Sequence, residues 1–117
     1  MSLNISNIPE NAGFANRSLF AAMRPSAFFI NTSRGRLVDE DALYEALKAG
    51  TIAGAGLDVH AVEPRPAGDR FDALHNVILT PHVAGGAKSG LLDEFEVVIR
   101  NCHAVLRGEP ALHEVLR

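Results

Sequence analysis

The sequence predicts an α/β domain built on a small open parallel sheet, and three observations carry that reading. Short apolar runs alternate with amphipathic stretches of helical spacing, in the order strand, helix, strand, helix, strand. The clearest run, Ala27 to Ile30, is continuously apolar, as a strand buried on both faces would be. The stretches between runs supply the crossover helices that parallel neighbours require. Length and composition agree: 117 residues, 47% hydrophobic and 21% charged, without repeat or low-complexity tract, describe one globular domain. Such a chain buries roughly 60–70% of its unfolded surface, enough for a core but not for two domains flanking a cleft.

Leu3 to Ile5 reads as a short strand that enters a loop at Ser6, Asn7 and Pro9. Asn16 is placed to N-cap a short helix through Leu19, Phe20 and Met23, which Pro25 stops. The run Ala27 to Ile30 then breaks into the polar segment Asn31-Thr32-Ser33-Arg34-Gly35. Asp39 is the next N-cap candidate, with Glu40 and Asp41 in the first turn, where the helix dipole favours negative charge. Val38 before this cap and Leu43 inside the helix fit a hydrophobic staple, and Gly50 ends the element. Ile52 to Val59 reads as a strand, in which Gly54 and Gly56 imply close approach of a neighbouring element. A loop rich in proline and glycine follows from His60 to Asp69, then a brief strand at Val77-Ile78-Leu79. From about Ser89 to Arg107, apolar residues recur at helical spacing, closed by Gly108 and Pro110.

Several function classes are disfavoured. A net charge of −3 with scattered Lys and Arg offers no footprint for nucleic-acid phosphates. No apolar stretch approaches the roughly 20 residues of a membrane span. The single cysteine, Cys102, forms no internal disulfide and falls on the apolar face of the last helix, where it reads as core packing. With no secretory signal visible, the expected compartment is the reducing cytoplasm. No C-x-x-C or H-x-x-x-H spacing marks a metal site, so no metal is expected.

Open parallel sheets bind ligands beyond the carboxyl ends of their strands. The residues there are Thr32-Ser33-Arg34, Asp58 and Pro81-His82, and the proline-rich loop adds Glu63. Arg34 can grip a carboxylate with its guanidinium fork, or be a solvated surface arginine. His82 is a natural proton-transfer group near neutral pH if a carboxylate such as Glu63 reaches it, although a pairing across a loop is not dictated by spacing. Asp58 can accept from a ligand amide or stabilise its own loop. His60, His75, His103 and His113 share no local motif and read as surface or core residues. Gly54-Ala-Gly56 lies inside a strand, so it is not a dinucleotide fingerprint, which must join a strand to a helix.

Four ordered motifs carry a resemblance. Phe29-Ile-Asn-Thr-Ser-Arg-Gly-Arg-Leu-Val-Asp-Glu-Asp-Ala-Leu43, Gly54-Ala-Gly-Leu-Asp-Val59, Glu63-Pro64 and Leu79-Thr-Pro-His-Val-Ala-Gly-Gly86 are similar to the C-terminal part of the nucleotide-binding domain of D-isomer-specific 2-hydroxyacid dehydrogenases. The resemblance implies the second half of a Rossmann-like, doubly wound parallel sheet with three αβα layers. Residues 1–117 would then be a partial NAD(P)-binding domain, the family's Gly-rich fingerprint and substrate domain lying outside this sequence. It further implies that Arg34 binds the substrate carboxylate, that His82 is the acid/base, and that Glu63 orients it. Thr32, Ser33, Arg34, Asp58, His82 and Gly85 would line NAD or NADP, with Asp58 receiving the nicotinamide carboxamide. The implied function is hydride transfer between NAD(P) and a D-2-hydroxy acid or 2-oxo acid, with the isolated chain binding cofactor weakly and inactive. Without a first half-sheet, the edge near Leu3 is exposed, and self-association there, as a homodimer, is expected. A non-enzymatic module that senses NAD(H) and recruits proteins is the competing reading. A half-domain that works with a separate complementary chain is a third.

Overall fold

The computed structural model describes residues 1–86 and 88–112. Its residues group into two units, Met1–His82 and Val83–Arg117.

The first unit is a four-stranded sheet in the order β1-β2-β3-β4, with every pair parallel: β1 Ser2–Leu3, β2 Phe28–Asn31, β3 Gly54–Leu57 and β4 Val77–Leu79. The register sets Ser2, Ile30, Gly56 and Ile78 in one row and Leu3, Asn31, Leu57 and Leu79 in the next. Helix α1, Arg17–Ala22, joins β1 to β2, and α2, Glu40–Lys48, joins β2 to β3. Both start where the sequence indicates. The Asn16 side chain accepts from the Ser18 and Leu19 N–H groups, and that of Asp39 accepts from the Ala42 N–H. Val38 and Leu43, the expected staple, are both in the core. Helix α2 ends in a Schellman turn: Gly50 has φ of 69°, its N–H donates to Leu47 at 3.2 Å, and the Thr51 N–H donates to Ala46 at 2.8 Å.

The core lies on one side of the sheet. Phe29, Ala55, Leu57 and Leu3 from the strands meet Phe20 of α1, and Leu43, Ala46 and Leu47 of α2. Phe20 and Phe29 meet edge to face, with centroids 5.2 Å apart. The expectation that β2 is covered on both faces is corrected here. Phe29 and Asn31 are buried, whereas Phe28 and Ile30, with Ile78 beside them in the register, are exposed. The reason is topological: each crossover steps to the next strand in the same direction, and crossovers of one hand stepping one way leave their helices on one face. The two strand glycines accommodate close neighbours, as expected. A Cβ on Gly54 would lie 2.5 Å from the Asn76 carbonyl oxygen, and one on Gly56 would lie 3.1 Å from Ile30 Cδ1.

The second unit contains α3, Lys88–Leu106. It closes with the same device as α2: Gly108, at φ of 71°, donates to Val105 and Glu109 donates to Ala104. Asn101 anchors the following segment, its side chain exchanging hydrogen bonds with the Leu112 N–H and carbonyl at 2.8 and 3.1 Å. Leu92, Phe95, Val98 and Ile99 are exposed. Cys102 is exposed too, contrary to its expected place in the core. Among the described residues this unit has one long helix and no second layer of its own to bury that face. His113 lies outside the described residues. Among the described residues, no helix is long and apolar enough to cross a membrane.

Candidate active site

The carboxyl ends of β2, β3 and β4 are tied together from below by buried polar side chains. β2 ends on Asn31, 1% exposed. Its Oδ1 accepts the Ser33 N–H at 3.0 Å and its Nδ2 donates to the Arg34 carbonyl at 3.1 Å, so one buried amide templates the whole turn. The Ser33 hydroxyl points inward and donates to the Leu3 carbonyl of β1 at 2.6 Å. What the turn presents outward is therefore Thr32 and Arg34, both exposed. Arg34 Nη1 donates to the Ser33 carbonyl at 2.6 Å, which leaves other donors of the fork for an anion.

β3 runs into Asp58, 4% exposed. Asp58 Oδ1 accepts the Thr80 hydroxyl at 2.5 Å, its N–H donates to the Asn31 carbonyl at 3.0 Å, and the Thr80 N–H donates to the Leu57 carbonyl at 3.0 Å. Three strand ends are thus joined through two side chains and the backbone. His60 is also buried, its ring Nε2 lying 3.1 Å from the Thr80 carbonyl oxygen. Because a carbonyl only accepts, Nε2 is the nitrogen that carries the proton there.

Glu63 links this inner layer to the surface. Its Oε1 accepts the His60 N–H at 2.9 Å, and its Oε2 lies 2.8 Å from His82 Nδ1. The His60 backbone donor is the main reason that the Glu63 carboxyl titrates below the usual carboxylate range. The His82 hydrogen bond lowers it further, desolvation opposes both, and the charges of His82 and His60 add smaller lowering contributions. A carboxylate that only accepts obliges His82 to donate from Nδ1, which leaves Nε2 directed elsewhere. His82 itself holds φ of 56°, in the left-handed region that costs a non-glycine residue about 1–2 kcal/mol. Neighbouring contacts must fix such a backbone, and the Glu63 bond is one of them.

Two depressions share His60 and Glu63 as a wall. One, of about 330 Å³, is lined by His60, Glu63, Arg65, Thr80 and His82 among others; the second, of about 200 Å³, is lined by Asn7, Arg34, Arg36 and Glu63. Arg65 is occupied by its own loop, with Nη2 2.6 Å from Asp72 and Nη1 3.6 Å from Asp69. Arg34 has no such carboxylate partner among the described residues.

The structure therefore sets Glu63 between the two depressions, with His82 in the wall of one and Arg34 in the wall of the other. Thr32 opens onto the same strand ends, whereas Ser33 and Asp58 spend side-chain oxygens inside the protein. Gly85 belongs to the second unit, with nothing within 4 Å of where its Cβ would lie. A mainly hydrogen-bonding rim with one exposed hydroxyl and a guanidinium that keeps donors to spare suits the polar nicotinamide end of a dinucleotide in its donor set. Asn31, His60 and Thr80 were not singled out by the sequence. A polar residue closing an apolar run was the available signal for Asn31, and the threonine before Pro81-His82 for Thr80.

A parallel α/β sheet with polar side chains gathered beyond the carboxyl ends of its strands is the arrangement of doubly wound nucleotide-binding domains. A family model described as the NAD binding domain of D-isomer specific 2-hydroxyacid dehydrogenases matches residues 1–84, and the chain belongs to that family. A glyoxylate reductase of Korarchaeum cryptofilum is 41% identical over 93% of this chain and 33% of its own length. The crystal structure of a D-lactate dehydrogenase with NAD+ from Lactobacillus jensenii superposes with a TM-score of 0.87 at 35% identity, covering 99% of this chain and 39% of that one. A D-isomer specific 2-hydroxyacid dehydrogenase from Xanthobacter autotrophicus, in complex with NADPH and MES, gives a TM-score of 0.83 at 38% identity, over 98% and 37%. The chain thus spans between a third and two fifths of the length of these relatives.

Proposed function

We propose that this chain carries the catalytic rim of an NAD(P)-dependent oxidoreductase acting between a D-2-hydroxy acid and its 2-oxo acid. The Glu63–His82 pair at 2.8 Å, with an Arg34 that has no carboxylate partner among the described residues, is the observation that carries the reading. The relatives' reductase and dehydrogenase activities, with NAD+ in one structure and NADPH in another, support it.

When bound, the cofactor would supply or accept the hydride. Every other part falls to this chain's own residues. Arg34 grips the carboxylate of the acid through two parallel N–H bonds and so orients the neighbouring carbonyl. His82 hands a proton from Nε2 to the C2 oxygen as that oxygen gains charge in reduction, and takes it back in oxidation. Glu63 holds the ring through Nδ1, fixes which nitrogen faces the substrate, and offsets the positive charge carried before proton transfer. Thr32 and Arg34 contact the nicotinamide end, and Asp58 and Ser33 support that contact from beneath.

The isolated chain is expected to bind NAD(P) weakly, to show no turnover, and to reside in a reducing cytoplasm, in keeping with its single cysteine. Among the described residues β1 ends the strand order with one side unpaired, so pairing of two copies along it, as a homodimer, belongs to the same proposal. Light scattering that shows only monomer at high concentration contradicts that part.

The activity is tested by grafting the chain in place of the matching third of the Korarchaeum reductase and following NADH or NADPH oxidation with glyoxylate or hydroxypyruvate. Reduction of either acid is the expected result. A folded graft that binds the reduced cofactor and leaves both acids untouched overturns the proposal.

A further inference from the structure

Two residues behind the rim close on the turn that carries Glu63. A Cβ at position 35 would lie 2.0 Å from the His60 carbonyl carbon, 2.1 Å from its oxygen and 2.4 Å from the Ala61 nitrogen. These are backbone atoms, so no rotamer change relieves the contact, and only glycine lets the two segments lie this close. Gly35 is buried and directly follows Arg34. Glu40, the first residue of α2, holds the same peptide by a second contact, its Oε1 accepting the Ala61 N–H at 2.8 Å. The preceding N–H, that of His60, is the donor to Glu63 Oε1 at 2.9 Å.

We propose that Gly35 and Glu40 are positioning residues that clamp the His60–Ala61 peptide and thereby set the separation between Arg34 and the Glu63–His82 pair. The catalytic meaning of that separation rests on the proposed function; the clamp does not. In a 2-oxo acid the carboxylate is bonded directly to the carbonyl carbon, so the anion grip and the proton donor must stand at one fixed spacing. A displacement of about 1 Å costs on the order of 100-fold in rate.

The test is a ¹³C NMR titration of the Glu63 carboxyl in the 117-residue chain, alone and in two Glu40 variants. Besides Glu40 itself, whose charge both variants remove alike, the charged and titratable groups that line the depressions around Glu63 are His60, His82, Arg34, Arg36 and Arg65, and none of these is altered. Glu40→Ala removes both the charge and the acceptor, whereas Glu40→Gln removes the charge and keeps an acceptor oxygen. The clamp predicts that the Glu63 midpoint lies higher in Glu40→Ala than in Glu40→Gln, because only alanine frees the His60 N–H to drift away. Gly35→Ala, which displaces the same peptide from its other contact, should raise the midpoint as well. Asp39 still caps α2 in both Glu40 variants, and circular dichroism checks that each variant is folded, so the Glu40 pair decides the test even if Gly35→Ala does not fold. Identical midpoints in the alanine and glutamine variants overturn the clamp, even if the grafted enzyme reduces glyoxylate. A confirmed clamp in a graft without activity refutes the proposed function and leaves the clamp standing.

Discussion

Two polar layers sit at the carboxyl end of the sheet and spend their hydrogen bonds differently. The inner layer, Asn31, Asp58 and His60, is at most 9% exposed, and its side chains hydrogen-bond to backbone groups and to the Thr80 hydroxyl of the same unit. The outer layer, Arg34, Glu63 and His82, keeps donors and acceptors turned to solvent, with the His82 side chain 42% and the Glu63 side chain 35% exposed. Both layers come from the same short turns. The comparison teaches a division of labour: buried amides and carboxylates convert three strand ends into one rigid ledge, and the exposed trio stands on it. Substitutions should separate accordingly, with inner changes read in stability and outer changes in turnover.

The sharpest separation is expected at His82. In the grafted enzyme, His82→Ala should lower kcat for glyoxylate about 10²- to 10⁴-fold, the usual range for a lost acid/base, with little change in melting temperature. Arg34→Gln should follow at about 10- to 100-fold in kcat/KM, the loss of a charge-assisted bond of about 1.5–3 kcal/mol, again without a stability cost. If either variant unfolds the protein, the outer layer is structural and the division fails. Asn31→Ala reverses the pattern. It leaves the Ser33 N–H and the Arg34 carbonyl without their partner, so denaturation should show a loss of about 1–3 kcal/mol. An unchanged midpoint of unfolding would show that the turn holds without its amide.

The smallest effect is acid sensitivity from Glu63. Its folded carboxyl titrates below the unfolded value of about 4.3. Its contribution to stability is therefore complete above that value and is lost as pH falls through the lower, folded one. Between about pH 6 and about pH 3, the chain should lose slightly more stability than its Glu63→Gln variant. Equal losses would mean that the His60 and His82 bonds do not discriminate the charged form.

Local signals in the sequence located most elements because their causes are local. Asn16 and Asp39 cap the helices they were expected to cap, and Gly50 and Gly108 stop theirs in left-handed turns. Strand limits were less legible. Ile52 to Val59 shortens to Gly54–Leu57, and the first strand is Ser2–Leu3, because pairing partners rather than propensity end a strand. The alternation in β2 was hidden since Phe28 and Phe29 are chemically alike, and only the direction of the crossovers decides which is covered. At the site, Arg34, Glu63 and His82 were visible through motif resemblance. His60 read as an ordinary surface or core histidine, because its role depends on Thr80 and Glu63 meeting it in space. The contact of Gly35 with His60 spans 25 positions, and no spacing rule announces it.

The central claim is that Glu63 fixes His82 with Nδ1 as donor and Nε2 free for proton transfer. The most direct measurement is ¹⁵N NMR of the His82 ring in this chain near neutral pH. The geometry predicts a hydrogen on Nδ1 whether the ring is charged or neutral, and loss of that preference in Glu63→Ala. A neutral ring protonated at Nε2, with Nδ1 bare and indifferent to Glu63→Ala, would contradict it.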